Sequence, residues 1–161
     1  MNEYDTLKRL ITIEKRLDDL IPKIEMPVVT AYTPTWTASV SNPAIVNGTI
    51  TGRYVRTGKL CFVNVNITMG ASTTYGSGAW RISLPFTVAN QGVNYFGVAT
   101  CYDNNAAARY DQNCVAIANG VDVRQFVPQT AGTTVNTLTS AIPFTWASGD
   151  IFAMTLWYEV A

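Results

Sequence analysis

The spacing of Leu10, Ile13, Leu17 and Leu20, with Thr6 one step before them, constrains this chain more than any other feature. Alternating steps of four and three make the a/d seam of a coiled coil, with Leu10 and Leu17 at a and Ile13 and Leu20 at d. A lone amphipathic helix packed on a globular core would need a wider apolar face. The seam therefore calls for copies of itself. Arg9 at g and Glu14 at e flank it, where charges pair between neighbouring helices of a parallel bundle, and Leu at a with Ile at d disfavours a dimer.

The segment Arg9-Leu10-Ile11-Thr12-Ile13-Glu14 resembles the arginine, hydrophobic, x, x, hydrophobic, glutamate motif of short parallel trimeric coiled coils. The expected assembly is a homotrimer, held in register by Arg9, Leu10, Ile13, Glu14, Leu17 and Leu20. Pro22 has no N–H to donate and drives Ile21 out of the α region, so the helix is expected to stop near Leu20. Four seam residues at roughly 1.5 to 3 kcal/mol each supply on the order of 10 kcal/mol gross, while ordering about fifteen residues costs roughly 1 to 2 kcal/mol apiece. Such a coil does not stand alone. It sets stoichiometry, register and attachment for the remainder of the chain.

Beyond residue 25 the composition changes. Half of the charged residues fall in the first 25 positions, and the formal net charge is zero without a basic run. This argues against nucleic acid or an anionic membrane as partner. No apolar run approaches a bilayer span, and the charged N-terminus lacks the apolar block of a signal peptide. The absence of histidine removes Ser-His-Asp and Cys-His nucleophiles and the common zinc sites. Cys61, Cys101 and Cys114 are odd in number, lack metal spacing and sit in apolar strand-like contexts, so they are expected as reduced, buried thiols of a protein made in a cytoplasm. No cofactor and no metal is expected.

The chain divides into three parts: a coil and attachment segment over 1–21, a proline-containing extended linker over 22–34, and a β knob over 35–161. Past the linker the chain is rich in Thr, Val, Ala, Asn and Gly, a β vocabulary. Asn47-Gly48 and Thr57-Gly58 are hairpin turn signals. Cys61, Val63, Val65, Ile67 and Met69 alternate with Phe62, Asn64, Asn66 and Thr68, which predicts a long half-buried antiparallel strand. Further strands are predicted over 80–84, 95–102, 113–118 and 121–127, with a weaker one over 133–138 and a turn at Asn119-Gly120. The last segment, 150–160, carries bulk on both faces, as a central strand does, or one whose second face meets a partner subunit. Eight or nine short strands with turns about every ten residues predict a mainly β fold, a jelly-roll-like antiparallel β-sandwich. Loops 70–79 and 103–111 read as exposed tips.

Tyr32-Thr33-Pro34-Thr35-Trp36-Thr37, then Asn42-Pro43-Ala44-Ile45-Val46-Asn47-Gly48-Thr49-Ile50-Thr51-Gly52-Arg53-Tyr54, resembles a module of tailed-bacteriophage fibre, minor tail and decoration proteins. Gly58-Lys59, the run 69–80, Ser83-Leu84-Pro85 and the ending Pro143-Phe144-Thr145-Trp146-Ala147-Ser148-Gly149-Asp150 fit the same pattern. The resemblance implies a non-enzymatic, trimeric, jelly-roll-like knob on a virus surface, made in the host bacterial cytoplasm. Within the motif the residues have structural tasks: Pro34 and Pro43 set turns, Trp36, Trp80 and Trp146 anchor a core, and Gly149-Asp150 turns into the last strand.

Two functional readings result. In the first, the trimer decorates the capsid as a cement protein or head fibre, the coil at the attachment end; about 30 Å of helix is short for a fibre that must reach a cell. Tyr4, Leu7 and Ile11 form a stripe at b and e positions, outside the seam, expected to dock the trimer onto another virion protein. In the second, the chain is a receptor-binding tail-fibre knob whose Tyr75, Tyr102 and Tyr110 stack on a host-surface saccharide. Asp103, Asp111, Asp122, Asp150 and Glu159 are the carboxylates of the knob. Turn-like settings for three of them, and the lack of a solenoid period, argue against glycoside hydrolysis. Asp103-Asn104-Asn105 lacks the spacing of a calcium loop.

Overall fold

A computed structural model describes residues 2–20, 27–128 and 135–161. It contains one helix, α1 (Glu3–Leu20), and ten strands among those residues. The last described residue of α1 is Leu20, near which the helix is expected to stop; Pro22, linker residues 22–26 and the start of the weak strand at 133–134 lie outside the described residues. Asn2 caps α1: its side-chain oxygen accepts from the Asp5 N–H at 2.9 Å, with Glu3 and Asp5 in the first turn where the helix dipole favours negative charge.

The knob is mainly β and antiparallel throughout. Its centre is the pairing of β4 (Leu60–Thr68) with β10 (Ile151–Glu159), in register over nine residues from Thr68 opposite Ile151 to Leu60 opposite Glu159. On one side β4 pairs β3 (Thr49–Thr57) through a tight hairpin at Gly58-Lys59, where Gly58 takes the positive φ that this turn requires. β1 (Thr30–Tyr32) pairs the outer side of β3, so the end of the expected linker is already sheet. On its other side β10 pairs β6 (Tyr95–Asp103), and the order continues through β7 (Ala108–Ala116), β8 (Asp122–Pro128), β5 (Trp80–Ser83) and β2 (Trp36–Ala38), with β9 (Val135–Thr137) beside β8.

In place of the two separate sheets of a sandwich, the strands form one continuous sheet that curls on itself. The reason lies in two short strands. β1 and β2 stand at opposite ends of the strand order, yet only residues 33–35 separate them in sequence. A flat sheet of nine strands would hold its edges about 40 Å apart, at ~4.8 Å per strand, which three residues do not span. The edges therefore meet. Tyr32 Oη donates to the Ser83 carbonyl at 3.3 Å, and Thr35 and Ser83 exchange backbone and side-chain hydrogen bonds. Gly52 in β3 leaves the room that the Tyr32 ring and Pro34 occupy.

The curl encloses one apolar core. Cys61, Val63, Val65 and Ile67 of β4 pack with Phe152, Met154, Leu156 and Tyr158 of β10, and the three expected anchors Trp36, Trp80 and Trp146 are buried with them. Trp80 lies edge-on to Trp36 at 4.6 Å between ring centres and tilted against Trp146 at 5.0 Å. Tyr158, wholly buried, satisfies its hydroxyl on the backbone of Phe86 at 3.2 Å.

Two local expectations are corrected. The exposed tip expected over 103–111 narrows to the turn 104–107: β6 and β7 form a hairpin there, and Arg109, Asp111 and Asn113 alternate with inward Tyr110, Gln112 and Cys114. Their polarity belongs to an outer strand face. Asn47-Gly48 also closes no hairpin; Gly48 N–H bonds the Ile45 carbonyl at 2.8 Å, and this turn leads from the Ala44–Thr74 bridge into β3.

Candidate functional site

Two surfaces stand out, and both are apolar. The first is the helix. Every described side chain from Asn2 to Asp19 is exposed, including the seam residues Leu10, Ile13 and Leu17, each more than half accessible. Contiguous apolar side chains left open to water in this way mark a surface suited to a partner. Arg9 and Glu14 flank the seam on the same exposed helix, while Leu20 ends it. Tyr4, Leu7 and Ile11 are equally exposed along their own stripe, and the Lys8 ammonium lies 4.5 Å from the centre of the Tyr4 ring.

The second surface is the outer face of the sheet, which sequence reasoning identified only in part. Along β10, Ile151, Ala153, Thr155 and Trp157 point away from the core, as the double-sided bulk of that segment predicts, and Trp157 is 59% exposed. Phe62 lies opposite Trp157 in register, the two rings edge to face at 5.7 Å, and Val55 lies opposite Phe62 on the next strand. Phe96 and Val98 of β6 add 69% and 64% exposed side chains on the same face. The missed signal was the strand Tyr95–Asp103, whose two faces are both apolar in sequence, so alternation did not separate them. A shallow hollow of about 320 Å³ opens where Val29, Arg53, Val55, Phe62, Asn64 and Asn66 meet at the β1 side of this face.

The tyrosines expected at a receptor tip are dispersed. Tyr75 is half-buried against the core, its carbonyl accepting from Trp80 Nε1 at 3.0 Å, and burial raises its phenol pKa. Tyr110 packs on Phe144 at 5.2 Å, and Phe144 continues to Trp146 at 4.6 Å. Tyr102 lies on the outer sheet face, opposite Arg109 and Ile151. The structure thus brings Tyr75 and Tyr110 to the core's aromatic chain and leaves Tyr102 apart from them.

The polar chemistry of the knob is turned to structure. Asp150, fully buried, accepts from the backbone N–H of Asn104 at 2.9 Å and of Ala147 at 2.6 Å, which fixes the turn before β10. Asp103 accepts from Ala106 N–H at 3.0 Å, Asp111 from the Thr100 hydroxyl at 2.9 Å, and Glu159 from Gln91 at 3.4 Å. Asp122 pairs with Arg81 at 3.4 Å. The three cysteines are buried and unbonded to one another. Burial pushes all three thiols up, Cys114 to about 12, away from the thiolate form that nucleophiles and metal ligands need. Among the described residues no cluster of three or more metal-ligating side chains occurs, and no helix is long and apolar enough to cross a membrane.

Compared with known proteins, the chain is 26% identical over 129 residues to the Mu-like prophage FluMu defective tail fiber protein of Haemophilus influenzae. The aligned region is 80% of this chain and 20% of that protein, so the chain spans about a fifth of its relative's length. No family model and no solved structure matches it. A stretch of 129 residues is longer than coil and linker together, so the similarity lies largely in the knob.

Proposed function

We propose that this chain is a non-enzymatic, homotrimeric structural protein of a tailed-phage virion, a fibre-type knob borne outward from an N-terminal coil. The observation that carries the reading is the similarity to a prophage tail fiber protein through most of the chain's length. The exposed seam of Leu10, Ile13 and Leu17 supports the trimer, because a helix with so much uncovered apolar surface needs copies beside it. Tyr4, Leu7 and Ile11 attach the trimer to another virion protein.

The relative's name, a tail fiber protein, favours a tail position over the capsid position expected from helix length. On a tail, the knob faces the host, and its ligand is a surface saccharide. The buried settings of Tyr75 and Tyr110 move recognition away from those rings.

Deleting the gene and following the particles tests the placement. Sound heads with failed adsorption are the expected result. Heads that rupture under heat or osmotic shock while adsorption stays normal would return the protein to the capsid surface. Leu7→Ala with Ile11→Ala tests the attachment stripe: trimers should form and be lost from particles, and undiminished incorporation would remove the stripe from the mechanism.

A further inference from the structure

The outer sheet face carries a band of uncovered apolar side chains across several strands. Val55, Phe62 and Trp157 stand in register on β3, β4 and β10. The β10–β6 pairing ends with Thr155 opposite Val98, and Trp157 and Phe96 lie two residues beyond it on their own strands, both exposed on the outward side. Phe96 in turn lies opposite Val115 on β7. From their exposures and the roughly 150–250 Å² that an aromatic side chain can bury, Trp157, Phe96, Val98, Leu60 and Val29 offer on the order of 500 Å². That is the upper range for a monomer's surface and more than half of the ~800 Å² each partner contributes to a stable interface.

We infer that this band is the contact between knobs, its occupant being a second copy of the same chain around the three-fold axis that the coil imposes. The inference rests on the trimer proposed above. Its first support is where the chain enters the knob. β1 begins at Thr30 opposite Tyr54, so Val29 falls beside Val55 at the rim of the band and lines the same hollow as Phe62. From Leu20 to Val29 the chain reaches at most about 30 Å, at ~3.3–3.6 Å per residue, whereas a knob of this size is roughly 35–40 Å across. Three copies joined by their coil cannot all turn the Val29 side outward. The coil therefore keeps this rim on the parts of each knob nearest the axis or the coil.

A second support is energetic. The coil alone does not offset the cost of ordering its own residues, so a trimer needs further contact, and the band holds Trp157 and Phe96, the exposed aromatic side chains among the described residues of the knob. Its composition fits as well. Interface centres are rich in aromatic residues with arginine, and polar side chains form the rim. Here Trp157, Phe62 and Phe96 make the centre, with Arg53, Asn64 and Asn66 at one border.

Trp157 makes the inference measurable, because Trp36, Trp80 and Trp146 are buried within the knob and Trp157 is open in the single chain. Sedimentation of the full-length protein gives its oligomeric state, and acrylamide quenching, with Trp157→Phe as reference, gives the accessibility of that one indole. The expected result is a trimer in which Trp157 is shielded and becomes quenchable on dilution to monomer. Trp157→Glu with Phe96→Glu should raise the dissociation concentration at least ten-fold while the near-ultraviolet dichroism of the remaining tryptophans stays native. A trimer whose Trp157 is freely quenched overturns the inference and leaves the trimer standing. A monomer overturns both. Shielding that appears only when host polysaccharide is added to the trimer makes the band a ligand platform and likewise overturns it; the quenching arm decides even where the double variant fails to fold.

Discussion

Helix and knob meet solvent in opposite ways. The described side chains of α1 are exposed along its whole length, whereas Val63, Ile67, Phe152 and Leu156 in the knob have no accessible surface at all. The knob thus owns the burial that stabilises it, and the described side chains of the helix have no such burial of their own. Even its charges show this, since Asp18 and Asp19 sit in the last turn, where the helix dipole favours cations. A region with its own core can fold by itself; under the trimer proposed above, the region without one is ordered by assembly.

The sharpest way to break this contrast is to damage the core and watch the helix. Trp80→Ala removes a side chain that is 1% exposed and packed between two other indoles. It should cost about 3–5 kcal/mol in denaturant unfolding of the knob. Because the coil cannot hold itself, its far-ultraviolet helix signal should vanish in the same transition. A helix that survives the knob's unfolding at an unchanged midpoint would show that α1 owns its stability after all.

Alkali should act through the knob. Burial holds the Cys114 thiol at about 12, above its value in the unfolded chain, so the folded state keeps a proton that the unfolded state releases. The stabilisation is fully present below the ordinary thiol pKa and is lost as pH rises toward 12, at about 1.4 kcal/mol per unit for one proton. Denaturation curves from pH 8 to 11 should show stability falling, and Cys114→Ser should change that slope. An unchanged slope would mean that Cys114 does not set it.

The seam gives the complementary test. Leu17→Ala removes apolar burial worth roughly 1.5–3 kcal/mol per chain in the trimer and nothing in the isolated knob, where Leu17 touches no core. Sedimentation should show weakened trimers, while the knob's near-ultraviolet signal stays in place. Loss of that signal at the same protein concentration would mean that the knob, too, is ordered only by assembly.

The same contrast governs how much of the molecule was legible in its sequence. β4 was readable because alternation over nine residues records which face is buried, β10 because bulk on both faces marks a central strand, and the tryptophan anchors because little else in the chain is as large. The curl was not: it depends on β1 and β2, three residues each, which no periodicity window detects. The first residues of β7 read as loop because Arg109 and Asp111 are polar, though an outer strand face accepts polar residues as readily as a loop does. The outer band was half visible, through Trp157, and half hidden in a β6 segment that is apolar on both faces. Tyr75 and Tyr110 were ambiguous for a different reason, since a tyrosine supplies an apolar ring to a core and a polar tip to solvent alike.

The smallest expected effect isolates the helix from everything else. Asn2 is exposed at the far end of α1, and its side chain satisfies one otherwise orphaned N–H, that of Asp5. Asn2→Ala should cost about 1 kcal/mol per helix, and Asn2→Gly only a few tenths. In a trimer that loss is repeated in each chain, so the dissociation midpoint should move although each helix end changes little. The knob's own unfolding should not move in either variant. If Asn2→Ala lowers the knob transition as far as the trimer transition, the two regions unfold as one unit, and the division between a self-sufficient knob and a dependent coil would have to be drawn elsewhere in the chain.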